Sequence, residues 1–244
     1  MTAPSHLDRG GRRLAYRHRT GRGPTLVFLP GYMSDMEGSK ALALDAWAEA
    51  QGRAVLRFDY GGCGASGGDF AGQSLEDWRD DALAMIDRVE GPVVLVGSSM
   101  GGWLMLLAAL ARPERVAGLV GIAAAPDFTA WGFSEEEKET IRASGMLEQP
   151  TPYGDQPYVT TRTFWDSGER NLLLGGEIAI DCPVRLLHGQ RDADVPWQHS
   201  LSLAERLRSA DVQLHLVKDG DHRLSRPQDI ALLIAAAARL TESL

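Results

Sequence analysis

Short apolar runs recur along the chain, and each has the length and the β-branched or aromatic content of a strand. The clearest runs are residues 25–29, 54–58, 93–96, 116–122, 184–188 and 212–217. An alternating stretch, Arg13–His18, predicts an opening strand ahead of them. Runs that are apolar at nearly every position are typical of strands buried on both faces of a parallel sheet.

Helical patterns separate these runs. Residues 41–50 predict a helix that ends at Gly52, and Ser74–Asp77 has the pattern of a capping box at the start of another. Pro227 stands in the first turn of a helix that continues to Leu240. Strands that alternate regularly with helices predict an α/β fold with a mostly parallel, doubly wound sheet. The ligand crevice of such a sheet lies at the carboxyl ends of its strands.

The alternation breaks once, between Asp127 and Cys182, where no strand is evident and prolines are frequent. We interpret residues 127–182 as a small helical cap, with one helix over Ser134–Ala143. The core of the fold would then comprise residues 1–126 and 183–244. Long insertions at this edge of a sheet often form lids over a ligand site. The alternative is an insertion packed on the side of the sheet.

Aromatic residues are concentrated in the predicted cap: Phe128, Trp131, Phe133, Tyr153, Tyr158, Phe164 and Trp165. They favour a pocket for an apolar acyl or aryl group, and an equally good interpretation is that they form the small core of the cap itself. The candidates for the pocket are Trp131, Phe133, Tyr158 and Trp165.

Composition excludes several classes of protein. A chain of 244 residues with 44% hydrophobic residues suits one folded domain, and its net charge of -8 argues against a nucleic-acid binder. The two cysteines, Cys63 and Cys182, cannot form a disulfide framework or a multi-thiolate metal site, so a reducing cytoplasm is the expected location. No metal or organic cofactor is expected.

Two segments resemble targeting or membrane sequences. The stretch from Asp8 to Arg22 is rich in arginine, as transit peptides are, but the alternation within it favours a strand; no apolar secretory run precedes it. Residues 92–111 are long enough and apolar enough to suggest a membrane span. Because Gly97–Gly102 interrupts them, they predict a buried strand, a turn and a buried helix, and no membrane span is expected.

Two segments match the pattern Gly-x-Ser-x-Gly, one centred on Ser99 and one on Ser66. The pattern alone is weak evidence, so the flanking residues must distinguish them. A nucleophile elbow needs a buried strand, a tight turn and a helix in direct succession. Ser99 follows the predicted strand 93–96 and precedes a helical pattern over residues 103–110, whereas Ser66 lies in a glycine-rich loop. Ser99 is therefore the predicted nucleophile.

A serine nucleophile needs a base, and the base needs an acid to orient it. Among the histidines, His222 lies in a loop between the last predicted strand and the last helix, from which it could reach over the strand ends. The others are interpreted as structural or too early in the chain: His6, His18, His188, His199 and His215. The loop after residues 184–188 offers Asp192 and Asp194 as the acid, and the spacing from the strand favours Asp192.

Two main-chain N–H groups near the nucleophile suffice to stabilise an oxyanion. The expected donors are Met100, which follows Ser99, and Tyr32, in the loop after the first central strand. Each such donor typically lowers the barrier by about 3 kcal/mol.

At these residues the chain resembles the α/β-hydrolase superfamily, from Leu14 to Leu240. More narrowly, it is similar to the group of mitochondrial palmitoyl-protein thioesterases and mycophenolic acid acyl-glucuronide esterases. The matching stretches are 31–34, 58–60, 97–105, 195–197 and 221–223. The resemblance implies that Ser99, Asp192 and His222 form a catalytic triad.

The resemblance also implies substrates, namely acyl thioesters or acyl-glucuronide esters, carried by a small molecule or an acylated protein. One departure is Pro30-Gly31, where many members of the superfamily have His-Gly. Since the expected oxyanion donors are main-chain groups, this change of side chain should not prevent them from binding the oxyanion. The alternatives are a peptidase of the same fold and a hydrolase-like binding protein that turns over little substrate.

Overall fold

The computed structural model describes residues 3–151 and 157–244, and a sheet runs through its centre. The strands are β1 (Ser5–Arg9), β2 (Arg12–Arg19), β3 (Arg22–Leu29), β4 (Arg53–Phe58), β5 (Val93–Ser98), β6 (Val116–Ile122), β7 (Met146–Gln149), β8 (Tyr158–Thr161), β9 (Val184–Gly189) and β10 (Val212–Val217). The main sheet has eight strands in the order β1-β2-β4-β3-β5-β6-β9-β10, and all pairings from β4 to β10 are parallel.

The predicted mostly parallel, doubly wound α/β sheet is confirmed. Strands β4, β5 and β9 are buried at every position, as their nearly continuous apolar runs indicated. The helices are α1 (Ser39–Ala50), α2 (Leu75–Arg88), α3 (Met100–Ala111), α4 (Phe128–Trp131), α5 (Glu135–Ser144), α6 (Arg162–Glu169), α7 (Gln198–Arg206) and α8 (Pro227–Glu242). Side chains of α2, α3 and α7 cover one face of the sheet, and those of α1 and α8 cover the other.

The arginine-rich N-terminal stretch is part of this sheet. Strands β1 and β2 form an antiparallel hairpin whose two-residue turn, Gly10-Gly11, has positive φ angles of 58° and 84°. Glycine adopts such angles without steric cost, and the turn matches the twist of the flanking strands. Residues 92–111 divide between β5 and α3. In the part of the chain that the structure describes, no helix combines the length and the apolar character that crossing a bilayer requires.

The segment from 127 to 182, which we call the cap, lies between β6 and β9. It contains α4, α5, α6 and the antiparallel hairpin of β7 and β8, so the expectation of a strand-free insertion was wrong. Each of these two strands has only four residues and mixes apolar with polar side chains, so neither gives an apolar run. The predicted helix over 134–143 is present as α5, with a capping box on Ser134. Tyr153 lies outside the described residues.

Candidate active site

Ser99 stands at a sharp turn between β5 and α3. Its backbone angles, φ 56° and ψ −121°, are rarely adopted by an L-residue, and such strain is typical of a nucleophile elbow. The glycines on either side allow the chain to double back. A Cβ on Gly97 would lie 2.3 Å from the carbonyl oxygen of Gly101, and a Cβ on Gly101 would lie 2.1 Å from that of Leu29. Only glycine fits at either position.

Ser66, at the centre of the second matching segment, has a structural environment. Its Oγ accepts a hydrogen bond from the main-chain N–H of Ala15 at 2.8 Å and donates one to the carbonyl oxygen of Asp59 at 2.7 Å. These bonds fix the loop after β4 against β2. The hydroxyl is therefore occupied in packing the loop.

Three side chains that are far apart in the sequence meet at the carboxyl ends of parallel strands. Nε2 of His222 lies 3.1 Å from Oγ of Ser99, and Nδ1 of His222 lies 2.8 Å from Oδ2 of Asp192. Ser99 follows β5, Asp192 follows β9 and His222 follows β10. Because the carboxylate can only accept, Nδ1 carries the proton, and the lone pair on Nε2 faces the serine hydroxyl. This geometry is suited to removing the serine proton.

The carboxylate of Asp192 is shielded from solvent and held by four donors. Oδ1 accepts the main-chain N–H groups of Asp194 and Val195, while Oδ2 accepts His222 and also His188. Burial alone would raise the pKa of Asp192, but the hydrogen bonds from the two histidines and the charge of His222 outweigh it and hold that pKa well below its usual value. Asp194, the other candidate acid, is exposed.

The contact between His188 and Asp192 was not predicted from the sequence. His188 is completely buried at the end of β9. The other histidines lie away from the triad: His6 in β1, His18 in β2, His215 in β10, and His199 in α7, where its ring stacks on Trp131 at 4.1 Å. A histidine followed by glycine at a strand end indicates only a buried polar residue. The contact with Asp192 depends on how the loop after β9 folds back over the strand end.

The two predicted oxyanion donors, Met100 and Tyr32, both belong to segments next to Ser99. Met100 is the first residue of α3, where an N–H has no acceptor within the helix. Tyr32 lies in the loop after β3 beside Gly31, at which a Cβ would be 3.4 Å from Cβ of Ser99. The side chain of Tyr32 anchors this loop, because its hydroxyl donates to the carbonyl oxygen of Val159 in the cap at 2.5 Å. Burial raises the pKa of Tyr32 well above its usual value, so the phenol stays a neutral donor.

A cleft of about 750 Å³ opens beside Ser99 and His222. Three of the expected pocket residues, Trp131, Phe133 and Tyr158, line it. Trp165 does not: it is buried within the cap, where its Nε1 donates to the carbonyl oxygen of Thr129 and the guanidinium of Arg142 lies over its ring. The aromatic residues therefore divide between the cleft wall and the packing of the cap.

The cleft also has polar lining residues, which the sequence did not indicate. Its lining includes Ser34, Asp35, Lys40, Asp194 and Arg223. Nζ of Lys40 donates to the carbonyl oxygen of Arg223 at 2.5 Å. Burial, with a smaller contribution from the charge of Arg223, lowers the pKa of Lys40 to about 8. The cleft lining therefore includes both aromatic residues of the cap and polar residues of the core.

Donor atoms of Asp192, Asp194 and His222 lie within 4.8 Å of one another, a spacing that could suit a metal ion. The oxygens of Asp192 already accept four hydrogen bonds, and the two nitrogens of His222 face Asp192 and Ser99. A cation bound there would break the link between serine, histidine and aspartate. We therefore interpret these groups as parts of that link.

A curated relative, the mouse protein named palmitoyl-protein thioesterase ABHD10, mitochondrial, is 44% identical over 236 residues, which cover 95% of this chain and 80% of the relative. The chain belongs to the α/β-hydrolase superfamily, in the ABHD10 group. A solved structure of mouse α/β-hydrolase domain-containing protein 10 superposes with a TM-score of 0.93 at 42% identity, covering 99% of each chain. A hydrolase from Agrobacterium vitis S4 gives 0.92 at 39% identity, covering 99% of this chain and 98% of the other.

The profile of a family described as serine aminopeptidase, S33, also matches this ABHD10-group hydrolase, over residues 23–139. That range includes β3, β5, the turn at Ser99 and the first part of the cap. It ends before Asp192 and His222. The match thus covers the segment that carries the predicted nucleophile.

The comparisons contradict the cytoplasmic location expected from the cysteine content. The mouse and human relatives are both named as mitochondrial proteins. The expectation was wrong because a low number of cysteines says only that the fold needs no disulfides. It carries no information about which compartment the protein occupies.

Proposed function

We propose that this ABHD10-group hydrolase cleaves carboxylic thioesters or esters through an acyl-enzyme on Ser99. The observation that carries the proposal is the hydrogen-bonded series from Ser99 through His222 to Asp192 beside an apolar-walled cleft. The thioesterase name of the mouse relative supports an acyl substrate. Acyl-protein thioesters and acyl-glucuronide esters are the substrate classes that the sequence resemblance favours.

The reaction would proceed in two halves. Oγ of Ser99 attacks the acyl carbon while its proton passes to Nε2 of His222, and the resulting oxyanion is held by the N–H groups of Tyr32 and Met100. His222 then gives the proton to the departing thiolate or alkoxide. Water, deprotonated by His222, attacks the acyl-enzyme, and Ser99 recovers its proton as the acid is released. Asp192 keeps the imidazole in the required tautomer and stabilises its positive charge.

The mixed lining of the cleft suggests which part of a substrate would contact which residues. The aromatic residues Trp131, Phe133 and Tyr158 suit an apolar acyl group, because burying apolar surface there removes it from water. Lys40 and Arg223 in the same lining suit a polar leaving group. The scissile carbonyl would then lie beside Ser99.

Covalent labelling with a fluorophosphonate probe tests the proposal. The wild-type protein is expected to be labelled at Ser99, and Ser99→Ala is expected to remain unlabelled because it lacks the nucleophile. Ser66→Ala is the matched control, since it removes a serine from the same motif pattern outside the triad, and it should be labelled like the wild type. A folded wild-type protein that takes up no label would favour the hydrolase-like binding protein.

A second variant tests the acyl side of the cleft. Phe133→Ala is expected to lower kcat/KM for p-nitrophenyl esters of long-chain acids by about 10-fold, because burial of an aromatic side chain contributes about 1.5–3 kcal/mol. The acetyl ester should change less than about 2-fold, since it is too short to touch this wall. Leu172→Ala is the control: Leu172 belongs to the cap but is 43% exposed and outside the cleft lining. Equal losses for short and long esters would show that Phe133 does not contact the acyl group.

A peptidase is the second candidate, favoured by the serine aminopeptidase description of the matching family. The same triad could cleave an amide if His222 protonated the departing amine. Aminoacyl p-nitroanilides assayed beside acyl thioesters, acyl glucuronides and p-nitrophenyl esters separate the two. We expect the esters and thioesters to be hydrolysed faster; faster amide cleavage would favour the peptidase.

A further inference from the structure

His188 is a buried polar residue that the reaction described above does not use. It lies at the end of β9 with no exposed surface, and both of its ring nitrogens have partners. Nδ1 lies 2.7 Å from Oγ of Ser200, a buried residue of α7. Nε2 lies 3.1 Å from Oδ2 of Asp192 and 3.0 Å from the carbonyl oxygen of Val195.

These partners determine which nitrogen carries the proton. The carbonyl of Val195 can only accept a hydrogen bond, so Nε2 must be the donor, and it shares its proton between Val195 and Asp192. In the neutral ring Nδ1 is then an acceptor, and the hydroxyl of Ser200 donates to it. The acceptors at Nε2 therefore fix the tautomer of His188 that donates to Asp192, and the hydroxyl of Ser200 satisfies Nδ1 and holds the ring in place.

As a result, two imidazoles donate to the same carboxylate oxygen. His222 approaches Oδ2 of Asp192 from the cleft, and His188 approaches it from the interior. The second donor has two effects on the first. It prevents the carboxylate from rotating away from His222, and it takes up part of the negative charge that would otherwise stabilise a protonated His222.

Several other charged groups face this pair. On the cleft side, Asp194 has a carboxylate oxygen within 4.8 Å of the donor atoms of Asp192 and His222. Lys40 and Arg223 line the same cleft, and Asp221 directly precedes His222 in the sequence. On the interior side, His199 interacts electrostatically with both His188 and Asp127, and burial lowers the pKa of His199. Among these groups, His188 is the one that donates directly to Asp192 alongside His222.

We propose that His188 is a positioning residue that acts through Asp192, holding the carboxylate toward His222 and setting the pH at which His222 becomes an effective base. The inference rests on the proposed function, since it assigns His222 as the base. It adds a fourth and a fifth member, His188 and Ser200, to the series that begins at Ser99. Neither lines the cleft.

His188→Met tests the proposal, because methionine fills a similar volume without a donor. We expect kcat to fall by about 10- to 100-fold, the size associated with a lost hydrogen bond to a charged group. KM should stay within about 2-fold, since His188 does not touch the cleft. The acid limb of the pH profile of kcat/KM should move to higher pH by roughly half a unit or more, because His222 would hold its proton more tightly.

His188→Gln supplies the conservative comparison, since its amide can donate to Asp192 from nearly the same position. It should bring the acid limb back toward that of the wild type and recover at least part of kcat. Ser200→Ala keeps the His188 side chain but removes the hydroxyl that donates to Nδ1 and holds the ring in place. It should shift kcat and the acid limb in the same direction as His188→Met, by a smaller amount. All rates are divided by the concentration of active sites, as measured by titration with a fluorophosphonate. Unfolded protein is thereby excluded from the comparison.

The outcomes separate the two proposals. If Ser99 of the wild-type protein fails to react with the fluorophosphonate probe, the proposed function is overturned. Two results would overturn the role of His188 while leaving the proposed function intact, provided that Ser99 reacts normally with the probe. One is a His188→Met variant with the wild-type acid limb and the wild-type kcat per titrated site. The other is a His188→Gln variant that recovers no more activity than His188→Met. Should His188→Met not fold, a Ser200→Ala variant with the wild-type kcat and pH profile would overturn the proposal equally.

Discussion

Ser99→Ala is expected to lower kcat for p-nitrophenyl butyrate by about 10⁵- to 10⁶-fold, the loss typical of removing a triad serine. No acyl-enzyme can form without Oγ, and only the oxyanion donors and binding remain to assist water. The fold should be retained, because the substitution removes one atom and keeps a Cβ in the backbone conformation that residue 99 already adopts, with φ 56°. Steady-state rates and circular dichroism on the same preparations check both statements.

Ser66→Ala is the matched control for that loss. It should keep kcat within about 3-fold, because Ser66 lies outside the proposed triad. It should unfold at a lower temperature, since the hydroxyl of Ser66 bonds to Ala15 of β2 and to Asp59 within the loop after β4, and both hydrogen bonds are lost. A Ser99→Ala variant that retained more than about one hundredth of the wild-type kcat would place the chemistry on another group.

Asp192→Asn is expected to reduce kcat by about 10⁴-fold while Asp194→Asn changes it by less than about 3-fold. An asparagine that donates its amide to Nδ1 of His222 would force the proton onto Nε2, which could no longer accept from Ser99. Asp194 is exposed and contributes its main-chain N–H to Asp192, and the substitution keeps that group. The test compares kcat of the two variants with that of the wild type, each measured at a pH above its own acid limb.

The Asp194→Asn variant is the control for general electrostatic effects, because it removes one negative charge from the same loop. The reverse order of losses would assign the acid to Asp194. Equal losses in both variants would mean that the net charge of the loop matters more than the bond from Asp192 to His222.

The sequence predicted the parts of the fold that depend on local pattern. Buried parallel strands give unbroken apolar runs, so β5 and β6 were found within two residues of their ends. Capping boxes mark helix starts chemically, as at Ser74 and Ser134. The hairpin of β7 and β8 was missed because its short strands pair only with each other and bury few positions, so the sequence shows no apolar period.

The residues of the site could be predicted where their position after a strand determines their place in the fold. Ser99, Asp192 and His222 each follow a strand, and parallel strands bring such positions to one edge of the sheet. Which other side chains meet them depends on tertiary packing. His188 touches Asp192 because the loop after β9 turns back over the strand end, and Trp165 faces the cap interior because of how α6 packs. Neither contact has a signature in the sequence.

A covalent acyl-enzyme on Ser99 is the central claim, and mass spectrometry of protein quenched during turnover of a slowly hydrolysed p-nitrophenyl ester tests it directly. We predict that intact protein gains the mass of one acyl group and that digestion places it on the peptide containing Ser99. The adduct should be absent from Ser99→Ala and present in Ser66→Ala. Turnover without any acylated protein, in a burst experiment able to detect it, or acylation of a different residue such as Cys63 would contradict the account.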